Sequence, residues 1–399
     1  MVKPLLMSLL LTPMAAFSLA AGALAPLSSG QSPAARAVLD VKAFGAKGDG
    51  VTKDTEAIQK AMDAAAAEGG GIVRIGSGTY LSGTIFMKSG VELRLEKGAT
   101  IKGSPDREDY CAADAYPQNY ESKFDNASGG HLLVAAGCRN VSVRGPGTID
   151  GNSSAFLVDA NGVQHKGGKM GVPWRPGQMM HFVDCDGVVI DGANIVNSPY
   201  WSCFILNSRN VTVRDCVIRT ERKRFFTWNG DGLDIDRCSN VHVSGCDIDT
   251  FDDSVTLRAS CASRLASPQD CSEVTVTRCR LSSSCNAVRV GVGEGVVRNC
   301  SLSRLNISNT RKAICLVSSY SAGSRGTDIH DIRFSDIDVD CDQLVDIGYR
   351  HAKDTEIRDV SFRDVRGRAR RPDTIREEPD RPFRNIVFID CSVERGSAK

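Results

Sequence analysis

Three aspartates have the types and spacing that could do chemistry. Asp231 sits inside Asn229-Gly230-Asp231-Gly232-Leu233-Asp234, and Asp252-Asp253 follow about one repeat later. Carboxylates set close together raise one another's pKa, so a cluster of them is costly. Such clusters serve where a proton is delivered, a water activated or a metal held. Structural aspartates that form a polar ladder or cap the corners of a repeating coil would leave the same pattern. Within the stretch, Asn229 is expected to orient the site by hydrogen bonding, Gly232 to allow a tight backbone, and Asp234 to support the loop. Just upstream, Arg222, Lys223 and Arg224 are followed by Phe225, Phe226 and Trp228. Guanidinium and ammonium groups pair with carboxylates, and aromatic rings stack on sugar faces, so this segment reads as a binding loop. A solvated basic turn packed over aromatics is the alternative.

The elements that position these groups come from a repeat. Asn140-Val141-Ser142-Val143, Gly187-Val188-Val189-Ile190, Asn210-Val211-Thr212-Val213, Asn240-Val241-His242-Val243 and Glu273-Val274-Thr275-Val276 are versions of one short strand. Asp331 to Phe334, Asp359 to Phe362 and Asn385 to Phe388 continue it. A step of roughly 22 to 33 residues signals a solenoid whose coils bury their apolar faces by stacking. Short β-branched strands with no helix between them predict an all-β, single-stranded right-handed parallel β-helix. Upstream, residues 38–104 form a distinct opening. Val38 to Phe44 reads as a strand, Asp54 as a helix N-cap, and Ala57, Ile58, Ala61, Met62 and Ala65 as the buried face of a capping helix. Strands are expected over Ile72 to Ile75, Thr79 to Leu81 and Val91 to Leu95. The charged, proline-broken segment 366–383 reads as a surface loop before a last coil.

The formal net charge of +1 argues against nucleic acid as the main partner. Lys3 followed by an apolar run to Ala25 predicts a secretory leader over residues 1–25, cleaved after Ala20 or Ala23. One β-helix domain is then expected over 26–399, secreted or periplasmic, a monomer and off the membrane after cleavage. Fifteen cysteines leave at least one unpaired after export. Many recur at one position of the repeat, which predicts a buried stack of thiols. Cys261 and Cys271 bracket a short loop and are the best disulfide pair. No cysteine cluster has zinc spacing, and the six histidines are scattered without forming a site.

Phe44-Gly45-Ala46-Lys47-Gly48-Asp49-Gly50 with Asp54 to Gln59 resembles the opening of pectin-lyase-like β-helix proteins. Gly147-Thr148-Ile149-Asp150-Gly151, Arg175-Pro176, Asn197-Ser198-Pro199-Tyr200-Trp201, Asn229 to Asp234 and Asp252-Asp253 resemble, in order, glycoside hydrolase family 28. The resemblance implies hydrolysis of a pectin-type or other uronate-containing polysaccharide with inversion and no cofactor. Asp252 resembles the family's general acid, and Asp231 and Asp253 the carboxylates that hold the attacking water. Inversion independently requires an acid and a base on opposite faces of the sugar, with carboxyls about 6.5–9.5 Å apart.

Two departures stand out. Asn286, in Ser284-Cys285-Asn286-Ala287, falls where polygalacturonases carry the histidine of a G-H-G motif. Arg311-Lys312-Ala313-Ile314 stands where an R-x-K motif grips a carboxylate. Arg289, Asn286, Arg224, Trp228 and Asn229 are the expected substrate-binding residues. A lyase or epimerase on the same fold, with Arg289 beside the carboxylates, and a non-catalytic glycan-binding β-helix are the alternatives.

Overall fold

The computed structural model describes residues 36–110, 130–159, 161–163, 174–260, 265–319 and 324–396. The expected leader and Cys261 lie outside them. No helix among the described residues is long and apolar enough to cross a membrane.

The chain winds as a right-handed parallel β-helix with three parallel sheets. The sheet that carries the site stacks Met180–Val183, Cys203–Leu206, Leu233–Asp236, Val255–Ala259 and Asn286–Gly293. A second sheet stacks Arg139–Arg144, Asp186–Asp191, Arg209–Arg214, Ser239–Ser244 and Cys271–Thr277. The third contains Thr148–Asp150, Asn194–Val196, Val217–Arg219, Asp247–Thr250 and Arg280–Ser283. Further toward the C-terminus the coils merge into long bent strands, Val296–Val317 and Asp328–Gly348, which pair in parallel with one register shift between Ser308 and Thr310.

The repeat noticed in the sequence marks a corner as well as a strand. Asn140, Gly187, Asn210, Asn240, Glu273, Asp331, Asp359 and Asn385 all have positive φ. Each sits near the start of its strand and bends the chain there, stepping out of the strand register, as Gly187 and Asn210 do between Asp186–Arg209 and Val188–Val211. Asn and Asp tolerate this left-handed conformation better than other side-chain-bearing residues, which is why they recur there. The residues that follow alternate inward: Val188 and Ile190 lie over Val211 and Val213, then Val241 and Val243, then Val274 and Val276, all buried. Cys185, Cys216, Cys238, Cys246, Cys271, Cys279 and Cys300 join this core as buried free thiols, the stack that the spacing predicts. Several donate to carbonyls of the coil below, as Cys271 does to Ile235.

At the N-terminal end, the helix Thr55–Ala67 buries Ile58, Ala61, Met62 and Ala65 over the first coils. The strands Gly71–Ile75, Gly78–Ser82 and Val91–Leu95 fall where expected. Three local readings need correction. Val38 to Phe44 is a three-residue strand, Val38–Asp40, followed by a 3-10 turn, because Asp40 accepts from the Lys42 amide and bends the chain. Asp54 sits at the helix start, but its buried carboxylate accepts from Lys47 N and Gly48 N at 2.7 and 2.9 Å rather than capping the helix. Arg366 and Arg368 belong to the strand Ile357–Ala369. Val365 and Ala369 face the core there while Arg366 points out to Asp338 at 2.9 Å.

Candidate active site

The site forms where three successive coils enter the site sheet. Asp231 leads into Leu233–Asp236, Asp252 and Asp253 into Val255–Ala259, and Cys285 and Asn286 into Asn286–Gly293. Backbone hydrogen bonds lock these turns on one another: Asp252 N donates to Gly230 O at 3.2 Å, Gly232 N to Asp253 O at 2.8 Å, and Ser254 N to Asn286 O at 2.9 Å. Side-chain hydroxyls complete the clamp, since Thr250 Oγ1 and Ser283 Oγ both donate to the Asp252 carbonyl. Gly232 is required by space: a Cβ there would sit 2.6 Å from Ser254 O and 2.7 Å from an Ile248 methyl. Asn229 adopts φ 54°, placing the turn just ahead of Asp231 in the left-handed region.

Asp231 and Asp253 are buried and Asp252 is partly exposed. Burial raises the Asp231 pKa well above the usual carboxylate range, and the negative charges of Asp234, Asp252 and Asp253 add to it. Asp252 is raised to about 6, first by burial and then by Asp253; a hydrogen bond from Cys285 and the charge of Arg289 oppose the rise. Asp253 has its own partners. Asn286 Nδ2 donates to Oδ1, and the Arg289 guanidinium lies 3.3 Å from Oδ2. One atom each from Asp252, Asp253 and Cys285 lies within 4.8 Å of the others, a spacing a cation could bridge. Arg289 already supplies positive charge to that cluster.

The outward row of the site sheet explains why charges gather here. Register runs His181, Phe204, Asp234, Thr256, Arg289, Cys315, Asp346 along one line of the sheet. The next outward line pairs Leu206, Asp236 and Arg258. Arg258 lies 3.7 Å from Asp234 and 3.6 Å from Asp236, and stacks over the buried Trp201 ring. Asp234 is therefore a buried partner of Arg258, on the strand that Asp231 leads into.

The other expected binding residues separate into two groups. Trp228, 38% exposed, and Phe226, 47% exposed, pack on Phe251 next to Asp252 and present an aromatic face beside the acids. Phe225 is buried and does not contribute to that face. Arg224 points away from the cluster, its side chain 81% exposed and paired with Glu221. Arg222 instead lies against the third sheet, bound to Asp249 at 2.9 Å and Ser282 at 2.8 Å. With Lys223, Ser284, Arg311 and Arg370 it lines an open groove of about 470 Å³ next to Ser283. Lys312 pairs in register with Asn286 and is bound by Asp346, which Arg350 also contacts at 3.0 Å. The altered basic motif therefore places Arg311 in the groove and Lys312 in a buried-edge ion pair.

Sequence reasoning missed two features. Arg175 is buried, stacks 4.5 Å over Tyr200 and donates to Pro199 O, Trp228 O and Asn229 Oδ1, tying the aromatic loop to the coil below. Its place next to Pro176 was visible, but nothing local linked it to Trp228. His131 and His181, far apart in sequence, meet edge-to-face as a buried pair with ring nitrogens 3.3 Å apart, and His181 stacks on Phe204. Burial lowers both, His131 to about 4. Only the register of the site sheet brings them together.

Residues 73–397 match the profile of glycosyl hydrolases family 28. Over 260 residues the chain is 28% identical to the exo-poly-alpha-D-galacturonosidase of Dickeya chrysanthemi, a match covering 56% of this chain and 42% of that protein. It is 24% identical over 339 residues to the endo-polygalacturonase of Pectobacterium parmentieri, covering 75% of this chain and 81% of that one. The matched stretch thus spans well under half of the first relative's length. Among solved structures, a hyperthermoactive exopolygalacturonase from Thermotoga maritima superposes with a TM-score of 0.69 at 21% identity, covering 90% and 88% of the two chains. With a profile match over most of its length and the same fold, the chain belongs to glycosyl hydrolases family 28.

Proposed function

We propose that this protein is an exported glycosidase that hydrolyses a pectin-type, uronate-containing polysaccharide with inversion. The observation that carries the reading is the convergence of Asp231, Asp252 and Asp253 on one edge of the site sheet, with Asp252 raised to about 6. A carboxyl of that pKa still holds a proton in mildly acidic solution and can protonate the leaving glycosidic oxygen. Asp253, between an amide donor and a guanidinium, and Asp231, behind it, flank the place for a water. The proton is shared across this coupled set, so its titration belongs to the cluster. Arg289 is buried and faces Asp253, an arrangement that favours charge compensation over the proton abstraction a lyase would need.

The basic groove supports an acidic sugar. Lys223 and Arg311 reach it from two different coils, next to the serine that clamps Asp252. A uronate carboxylate in the unit next to the cleaved bond would meet both cations. Lys223→Met with Arg311→Gln is expected to raise KM for polygalacturonan about 10-fold or more, the loss of one to two charge-assisted contacts, with little change on a neutral glycan. The decisive assay follows release of reducing ends from polygalacturonan, rhamnogalacturonan and neutral glycans, with product anomers read by NMR. Inverted product from a uronan supports the proposal; an unsaturated, ultraviolet-absorbing product, or binding with no new reducing ends, overturns it.

A further inference from the structure

Among the described residues Cys285 is the cysteine that meets the acid cluster, and its surroundings differ from those of the core thiols. The core cysteines donate to backbone carbonyls along the inner wall. Cys285 stands at the turn into Asn286–Gly293, half-exposed, with its sulfur among the carboxylate oxygens of Asp252 and Asp253. Four hydrogen bonds, two of them made by Cys285 itself, fix it there. Its backbone N donates to Ser283 Oγ at 2.8 Å, while the same hydroxyl donates to the Asp252 carbonyl at 2.6 Å. Asn286 Nδ2 reaches the Cys285 sulfur at 3.2 Å and also donates to Asp253 Oδ1. Two buried oxygens of the cluster, Asp231 Oδ1 and Asn286 Oδ1, have no hydrogen-bond partner among the described residues. The acceptors within reach of the Cys285 sulfur are the carboxylate oxygens of Asp252 and Asp253, within 4.8 Å.

We propose that Cys285 is a positioning residue for the general acid: its S–H donates to the Asp252 carboxyl, while Asn286 bridges the sulfur to Asp253, so that the two carboxyls are held at fixed separation. The inference rests on the assignment of Asp252 as the acid. Burial and the two neighbouring carboxylates push the Cys285 thiol far up, so it stays a protonated donor throughout the working range. The groups that act on the Asp252 carboxyl are Asp253 on its own turn, Asp231 on the preceding coil, and Cys285 and Arg289 on the following one. A hydrogen bond to the charged form favours that form, so the thiol holds Asp252 below the value that burial and Asp253 alone would set.

The test is the alkaline limb of the kcat profile on uronan, together with the Asp252 titration followed by carboxyl carbon NMR in the full-length protein. Cys285→Ala removes the donor and should move both upward by about half a pH unit or more, as expected for one lost hydrogen bond. Cys285→Ser keeps a donor and should leave both at or below the wild-type position. Cys285→Val, which fills the volume without a donor, takes the place of Ala where Ala fails to fold, and should shift in the same sense. Equal profiles for all variants, or equal shifts for Ser and Ala, overturn the proposal and leave Cys285 a packing residue. The NMR titration separates the two readings. If the wild type hydrolyses no uronan yet Asp252 titrates higher in the donorless variant, the functional assignment fails while the hydrogen bond stands.

Discussion

Asp252→Asn is expected to lower kcat on a uronan about 10²–10⁴-fold while the protein folds normally. The amide keeps the volume of the carboxyl but has no acidic proton, so the leaving oxygen departs without help. An activated aryl uronide, whose leaving group needs little protonation, should lose far less. That difference between substrates separates loss of the acid from general damage to the site. The same substitution should also stabilise the fold, and the sign follows from the titration. The Asp252 pKa is raised in the native state from 3.8 to about 6. A group raised in this way favours folding fully below its unfolded value, and that contribution is lost as pH rises through the folded value. Above pH 6 the native protein therefore carries a charge it disfavours, at a cost of up to about 3 kcal/mol. Asn carries none. The Tm of Asp252→Asn should exceed the wild type by a few degrees at pH 7.5 and match it near pH 4, read by thermal unfolding across that range. A variant that is equally active, or less stable at pH 7.5, would remove Asp252 from the acid role. Sites that keep strained charges commonly trade stability for activity, and the divergence of the two Tm curves as pH rises is the signature of that trade.

Why the sequence revealed so much of the fold is visible in the corners. A β-helix repeats its local requirements at every coil, so one αL position, filled by Asn140, Asn210, Asn240, Asp331 and Asn385, marks the register many times over. Alternating Val and Ile after each corner then assign the inner face. The three aspartates could be named from the same register because they fall at the entrance to adjacent coils. What the repeat could not give was the contact between groups on different coils that lack a shared motif. His131 and His181 meet only through the site sheet, and Arg175 reaches Trp228 across a loop. Asp54 shows a second limit: the residue stands where a cap belongs, but two nearby amides in a glycine turn compete for its carboxylate and win. Arg224 shows a third. Three consecutive basic residues were read as one binding patch, yet alternation along an extended turn sends Arg222 to Asp249, Arg224 to Glu221 and leaves Lys223 facing the groove.

Replacing Arg289 by Met is expected to be the most damaging single change for stability. Both members of the Arg289–Asp253 pair are buried, at 3.3 Å, so the guanidinium cannot be replaced by water when it is removed. Breaking a buried pair by deleting one partner leaves the other charge uncompensated and typically costs about 3–5 kcal/mol. Here the loss has a second effect, because Arg289 also holds Asp252 down. The Met variant should therefore melt well below the wild type at pH 7.5 and show a kcat limb moved to higher pH. Adding Asp253→Asn removes the orphaned charge, so the double variant should regain most of the lost stability, a coupling of about 1–3 kcal/mol between the two sites. It should not regain turnover, since Asp253 is then lost as a carboxylate beside the water. Denaturant unfolding of the wild type, both single variants and the double variant measures the coupling. Additive losses would mean that the two side chains act independently, and that the positive charge beside the acids serves the substrate rather than the carboxylate it faces.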